Sequence, residues 1–512
     1  MQAIVSRSRT LFLTFLALFS LALGLAAQNP PRYHLVDLGA FPSHPALSPL
    51  FDGISAQSLS RNSTMTGSVE TATPDPFAPF CFQEDCLVTH AFRWRNGVLT
   101  DLASLAGPRF SSVASWISGN GLIVGLSQNG KINPLIPDLP ELRAVLWRAD
   151  SVADLGTLPG GSHSGAFAVN NTGQVVGFST NAISDPNPSL LTENIGDPEL
   201  RAVLWERGQI EDLGTLESGS DSVALLINDR GQVVGQSYTD DTRPPTPSCG
   251  FAQNLHGFMW EKGIMRDVGT LGGSCTFTYA LNNRGQIVGQ SSLAGDAESH
   301  PYIWDPERGL TDLFNRGRLG GSYGYAQWIN DAGTVVGTVA TYGDAALLAV
   351  QWTDHGFENL GALDGDPCSA TDAINSRGQV VGGSGFFAAD FFPDCNTTVE
   401  HAILWDHRTT VDLNTFVPPD TDLTLNEATF INDRGEITGF AVDSNAIEHA
   451  FLLLPCTGGN SDCLEGNLTA NGQRMARTRD FGPLPRTNWR RSQAAARHLL
   501  TRAHPNATTK TF

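Results

Sequence analysis

The sequence predicts an all-β fold, a β-propeller of four-stranded blades, on three observations. Three short phrases recur eight times each, in one cyclic order, along 512 residues. Each copy reads as four short apolar runs separated by Gly-bearing turns, with no helical periodicity. The tryptophan ending one phrase returns after 53, 58, 55, 44, 48 and 53 residues, and units of about 40 to 50 residues holding four strands are propeller blades. A parallel β-helix needs far shorter coils, and a β-sandwich would not repeat one phrase eight times.

The first phrase, Ala-Val-Leu-Trp in its plainest form, ends at Trp94, Trp147, Trp205, Trp260, Trp304, Trp352 and Trp405, and its eighth copy, at 449–453, has no Trp. The second, Asp-Leu-Gly, starts at Asp37, Asp101, Asp154, Asp212, Asp267, Asp312, Asn359 and Asp412. The Trp run and the Asp-Leu-Gly run, joined by a Gly turn, predict a β-hairpin. The third phrase, Ile-Asn-x-x-Gly-x-Val-Val-Gly, is clearest at 227–235 and 374–382. It predicts a second hairpin: Asn starts the turn by bonding backbone amides, and Gly takes the left-handed position that closes it.

The chain opens on the Asp-Leu-Gly phrase and closes on the Trp phrase. With the strand before Asn innermost and the Asp-Leu-Gly strand outermost, residues 33–39 are a lone outer strand and 449–454 a third strand lacking its fourth. The N-terminal strand is therefore expected to complete the last blade and close the ring, leaving no open edge. The count is eight blades. It is seven plus an irregular N-terminal piece if the loose match at 59–67 is not a repeat.

His90-Ala91-Phe92-Arg93-Trp94, His401 to Trp405 and His449-Ala450-Phe451, with Asp-Leu-Gly-Thr-Leu at 154–158 and 212–216, resemble the repeat of the bacterial HAF-repeat family. The resemblance spans about residues 33–455. Arg143, Arg201 and Leu348 depart from it in the His place. It implies export and a repeat fold, and no known activity or catalytic residue.

Residues 1–27 read as a signal peptide: Arg7 and Arg9, an apolar run at 11–25, then small residues. That run is short of the roughly 20 residues a membrane span needs, so no transmembrane segment is expected. A secreted, periplasmic or cell-surface location follows. Eight cysteines in an exported chain favour disulfides. Connectivity is open on sequence alone, and the expectation is pairing of neighbours: Cys81 with Cys86, Cys249 with Cys275, Cys368 with Cys395, and Cys456 with Cys463. Residues 33–455 form the propeller. From Cys456 onward nine basic residues face three acidic ones, so a basic, disordered tail at 456–512 follows a body of charge −26. Such a body excludes nucleic acid as partner. A monomer is expected.

The histidines before Trp (His90, His256, His300, His401, His449) recur too often for catalysis, and a bond to a loop carbonyl is expected for each. The repeated Asp is expected to accept amides of the following turn, and the Trp series to be core. Function is expected where the repeat breaks, in loops on one face: Phe386, Phe387, Phe391 and Phe392 as one patch, Asp75, Phe77, Phe80 and Phe82 as another. No spaced metal signature or cofactor motif appears, so no cofactor and no metal are expected. Ser322 within Gly-x-Ser-x-Gly at 320–324 and the phosphate-loop-like 125–131 are read as turn and chance. The expected function is a non-catalytic binding scaffold for an extracellular glycan or protein. The alternative is a propeller polysaccharide hydrolase or lyase, with His163, Asp221 and Asp366 as its candidates.

Overall fold

A computed structural model describes residues 32–40, 57–78, 80–82, 86–134, 139–148, 151–185, 198–239, 254–386, 392–397, 400–445 and 447–456. The expected signal peptide and all of the basic tail beyond Cys456 lie outside them, as do most of the long loops. No helix among the described residues is long and apolar enough to cross a membrane.

The described strands form seven antiparallel groups of four and one of three. One group runs Ser164–Val169, Val175–Ser184, Pro198–Glu206 and Gln209–Asp212, each strand paired with the one before it. Three consecutive groups are joined by single parallel bridges, Leu255 to Cys275 and Ser299 to Tyr323. The three-stranded group, Thr64–Pro74, Leu87–Arg95 and Val98–Asp101, is extended by an isolated bridge from Leu59 to Met65. Successive meanders packed face to face are the β-propeller architecture.

Both glycines of the third phrase are required, for different reasons. Gly231, at φ +77°, closes the turn after Asn228, a conformation that costs an L-residue about 1–2 kcal/mol. Gly235 has ordinary φ, but a Cβ there would land on the Val223 carbonyl oxygen and the Phe258 ring. That crowding has a cause in the opposite strand. Each inner strand carries a one-residue bulge that the pairing skips: Ser115, Phe167, Leu225, Tyr279, Gln327, Asp372 and Thr429. The bulge presses the backbone against the facing glycine and re-aims one variable side chain per strand.

The core lies between neighbouring sheets. One apolar cluster joins Val124 and Leu146 to Val169 and Trp205 of the next group. Another joins Leu425, Phe451 and Leu453 of the last group to Met65, Phe92 and Trp94 of the first. All seven repeat tryptophans are buried. At the chain ends, Tyr33–Ala40 pairs with Glu448–Pro455 from Tyr33↔Pro455 to Ala40↔His449, in the fourth-strand place. Two local expectations need correction. The segment around Ser322, read as a turn, is the start of strand Gly320–Ile329, and the matching Leu-Gly-Gly-Ser at 271–274 likewise leads into strand Gly272–Leu281. The blades also hold short 3-10 turns, where Asp312 and Asp412 cap the amides of Phe314 and Asn414.

Candidate ligand-binding site

The repeated polar residues fasten the frame. Asn228 Oδ1 accepts from the Arg230 and Gln232 amides at 3.0 Å, and its Nδ2 donates to the carbonyl of Asn282 in the next unit, also at 3.0 Å. The same reach runs from Asn170 to Asn228, Asn282 to Asn330, Asn330 to Asn375, Asn375 to Asn432, and Asn432 to Ser60.

The expected loop-carbonyl partner of the histidines is wrong. Nδ1 of His90, His256, His300, His401 and His449 meets the carboxylate of Asp101, Asp267, Asp312, Asp412 and Asp37, at 2.9–3.2 Å. Third and fourth strands bring the two phrases side by side, so His and Asp are cross-strand neighbours. Arg143 does the same with Asp154 at 3.3 Å, whereas Arg201 turns to Glu199 at 2.7 Å. Beside a histidine the other oxygen accepts a turn amide, as from Gly269 to Asp267 Oδ1 at 2.7 Å, which was the expected role.

The loop residues divide. Phe392 is fully buried beside the Cys368–Cys395 disulfide, with its ring 5.9 Å from Tyr323, so it packs against the preceding blade and is unavailable to a partner. Phe386 is half-buried against the same cluster, and Phe387 and Phe391 lie outside the described residues. Asp75 is likewise withdrawn from any ligand: it is buried and accepts from Ser111 Oγ at 2.6 Å and Gln128 Nε2 at 3.1 Å. Phe77 packs 5.9 Å from Phe110 and Phe82 packs on the core, while Phe80 stays exposed. Cys81 and Cys86 are bonded. Cys275 and Cys456 are also disulfide-bonded, and their expected partners Cys249 and Cys463 lie outside the described residues.

The candidates for hydrolysis are bonded into the frame as well. His163 is fully buried; its Nδ1 accepts from the Leu142 amide at 3.2 Å and its Nε2 meets the Asn133 side chain at 2.7 Å. Burial, with help from the Arg143 charge, lowers its pKa to about 4, so it is neutral and occupied on both nitrogens. Asp221 accepts the equivalent Leu200 amide at 2.7 Å, and Asp366 accepts from Ser384 Oγ at 2.8 Å. Ser322 Oγ donates to Asp344 at 2.6 Å, and Asp344 also accepts the Ser322 amide at 2.8 Å, so this pair ties a strand start to the turn Tyr342–Asp344.

What remains open is axial. At the end of the inner strands bearing the Asn turns, a pocket of about 150 Å³ is lined by Trp116, Trp328, Tyr279, Arg61, Gln57 and the turn asparagines. This is the face opposite the long loops. Trp116 and Trp328 are outside the Trp phrase, each next to a bulge residue at the end of its inner strand. Unlike Trp147 Nε1, which donates to Ala103 O at 2.8 Å, their indole N–H groups have no partner among the described residues and are not sealed in the core. The Arg61 side chain is exposed and pairs with no described carboxylate.

Outside that lining, Asp372 and Glu427 on the neighbouring inner strands Ser369–Ile374 and Thr424–Ile431 hydrogen-bond to each other. Burial first, then the Glu427 charge and hydrogen bond, raises the Asp372 pKa well above 3.8; burial also raises that of Glu427. Burial and the same two carboxyls push the neighbouring Tyr325 phenol up to about 12, against a hydrogen bond with Thr338. Sequence reasoning missed this pair and both axial tryptophans. The available signal was the variable positions before the strand-ending Ile: Asp372 two places before it in the bulge slot, Trp116 and Trp328 one place before it, and Glu427 four places before it, which a search for local motifs does not test.

No family model and no curated protein matches the chain. Among solved structures it is similar to an acylaminoacyl peptidase of Pyrococcus horikoshii, at 11% identity and TM-score 0.40, covering 77% of this chain and 59% of that one. It is also similar to the β-propeller domain of the Trilobed protease from Pyrococcus furiosus, at 11% identity and TM-score 0.38, covering 76% and 100%. A third is an ulvan lyase described as a new family of polysaccharide lyase, at 10% identity and TM-score 0.36, covering 82% and 96%. The chain thus spans less than two thirds of the first peptidase's length.

Proposed function

We propose that this chain is an exported, non-catalytic binding protein built as a closed eight-bladed β-propeller, in keeping with its resemblance to the HAF-repeat family. Closure is supported by the continuity of fasteners across the chain ends. Asn432 reaches Ser60 as every other turn Asn reaches its successor, at 3.0 Å, and His449 meets Asp37 as every other repeat His meets its Asp, at 3.0 Å. The observation that carries the binding reading is the contrast in bonding capacity. The repeat His and Asp residues are consumed by the frame, whereas the open groups at the axial pocket are two indoles and a guanidinium. These hold ligands; they do not move protons at neutral pH.

A hydrolytic reading rests on Asp372 and Glu427, since two carboxyls sharing one proton can act as acid and base. Hydrogen-bonded to each other, they are too close to straddle a glycosidic bond, which needs carboxyls about 5–9.5 Å apart. A phenol with a raised pKa is a poor base for a lyase. The test is incubation of the purified protein with polysaccharide and peptide panels, scoring bound ligand and released product together. Binding without product is expected. Product that disappears in Asp372→Asn would establish the hydrolytic reading instead.

A further inference from the structure

We infer that the axial pocket takes a carbohydrate, one sugar ring deep, held against Trp116 and Trp328 and hydrogen-bonded by their indole N–H groups and by Arg61. This deepens the binding reading and rests on it.

The chemistry of the lining selects the ligand class. A sugar ring presents apolar C–H faces and a rim of hydroxyls that both donate and accept. It is therefore matched by aromatic side chains with a polar tip beside fixed amides and carbonyls. Trp116 and Trp328 are half-buried: their rings pack on the core clusters of opposite halves of the molecule. Trp328 is further fixed by Phe430, with ring centroids 5.6 Å apart. The walls are thus rigid, and little side-chain freedom is lost when a ligand docks. Each indole N–H is left to donate into the pocket.

The rim is pre-ordered too. Asn171 Nδ2 donates to Asp229 Oδ2 at 2.8 Å, and Asn283 Oδ1 accepts the Asp229 amide at 3.0 Å, so the turn side chains are held in a fixed ladder. Arg61 supplies donors on the one side where a described carboxylate does not neutralise it. Tyr279 donates its hydroxyl to Gln290 at 3.3 Å and keeps its lone pairs for a ligand hydroxyl. An apolar small molecule would leave the two indole N–H groups and the Arg61 guanidinium unpaired, and the pocket of about 150 Å³ is too small for a folded partner's side. A hydroxylated ring meets both halves of the lining.

The test is a glycan array probed with the purified protein, followed by solution titration of each array hit while tryptophan fluorescence is followed. The expected result is saturable binding, weakened at least tenfold by Trp116→Ala, Trp328→Ala or Arg61→Ala. Trp116→Phe and Trp328→Phe keep a ring and should restore part of it. Thermal unfolding and circular dichroism on each variant separate lost binding from lost folding. If array glycans bind and the Phe and Ala variants bind as well as the parent, the pocket assignment is wrong while the binding reading stands. If no glycan binds but proteins or peptides do, the ligand class is wrong. If nothing in either panel binds, the binding reading fails with it.

Discussion

Adding a Cβ to Gly235 would drive it into the Val223 carbonyl and the Phe258 ring, both fixed by strands. Gly235→Ala is therefore expected to cost about 3 kcal/mol or more, because neither neighbour can give way. Gly208→Ala, at φ +77° with open space around it, should cost only about 1–2 kcal/mol from backbone strain. Urea denaturation of the two variants measures the difference. His163 gives a second test at this scale. Its folded pKa of about 4 lies below its ordinary 6.5, so between those values the unfolded chain binds the proton and the folded chain does not. Stability should fall by about 3 kcal/mol in all as pH drops through that window. His163→Gln should flatten the slope in thermal unfolding followed from pH 7 to pH 4.

The fasteners belong to the scale of the strand pair and its neighbour. Asn228→Ala removes three bonds within its turn and the reach to Asn282. About 2 kcal/mol of lost stability is expected from equilibrium unfolding, at roughly 1 kcal/mol per net hydrogen bond with part offset by water at the turn. The sheet made by both chain ends has a pH dependence of the opposite sign to that of His163. Burial raises Glu448 from 4.5 to about 7, since its carboxyl occupies a place held by Leu142 and Leu200 elsewhere. Burial pushes His449 down, but the hydrogen bond and charge of Asp37, with Asp443 and Asp422, outweigh it and raise its pKa above 6.5. Both folded pKa values are raised, so this sheet is most stable in acid. It loses stability as pH rises from 4.5 towards 7 for Glu448 and through the raised His449 value. Hydrogen exchange in Tyr33–Ala40 should be faster at pH 8 than at pH 5, after correction for intrinsic rates. Equal protection would contradict this.

At the scale of the molecule, the frame was legible because a repeat states each position eight times. The hairpins, the Asn turn, the buried tryptophans and the strand that crosses from one chain end to the other all follow from periodicity and phase. The candidate site was not, because it is written in single residues. Trp116, Trp328, Asp372 and Glu427 stand in slots where other units carry Ala168, Leu226, Leu225 or Val223, and the repeat phrases do not mark those slots. Phe392 and Asp75 misled for the complementary reason: a loop residue reads as free until its disulfide or its buried serine partner is placed.

The central claim is that the chain ends meet in one sheet and close an eight-bladed ring. Tyr33–Ala40 sets His34 opposite Leu454, and directly paired strand residues lie within disulfide reach, about 4.5–5.5 Å between Cα atoms. The measurement is peptide mapping by mass spectrometry of the His34→Cys, Leu454→Cys variant after oxidative folding. The closed ring predicts a linked peptide joining positions 34 and 454. Those two cysteines found free, or linked elsewhere, in protein that is otherwise folded would contradict it.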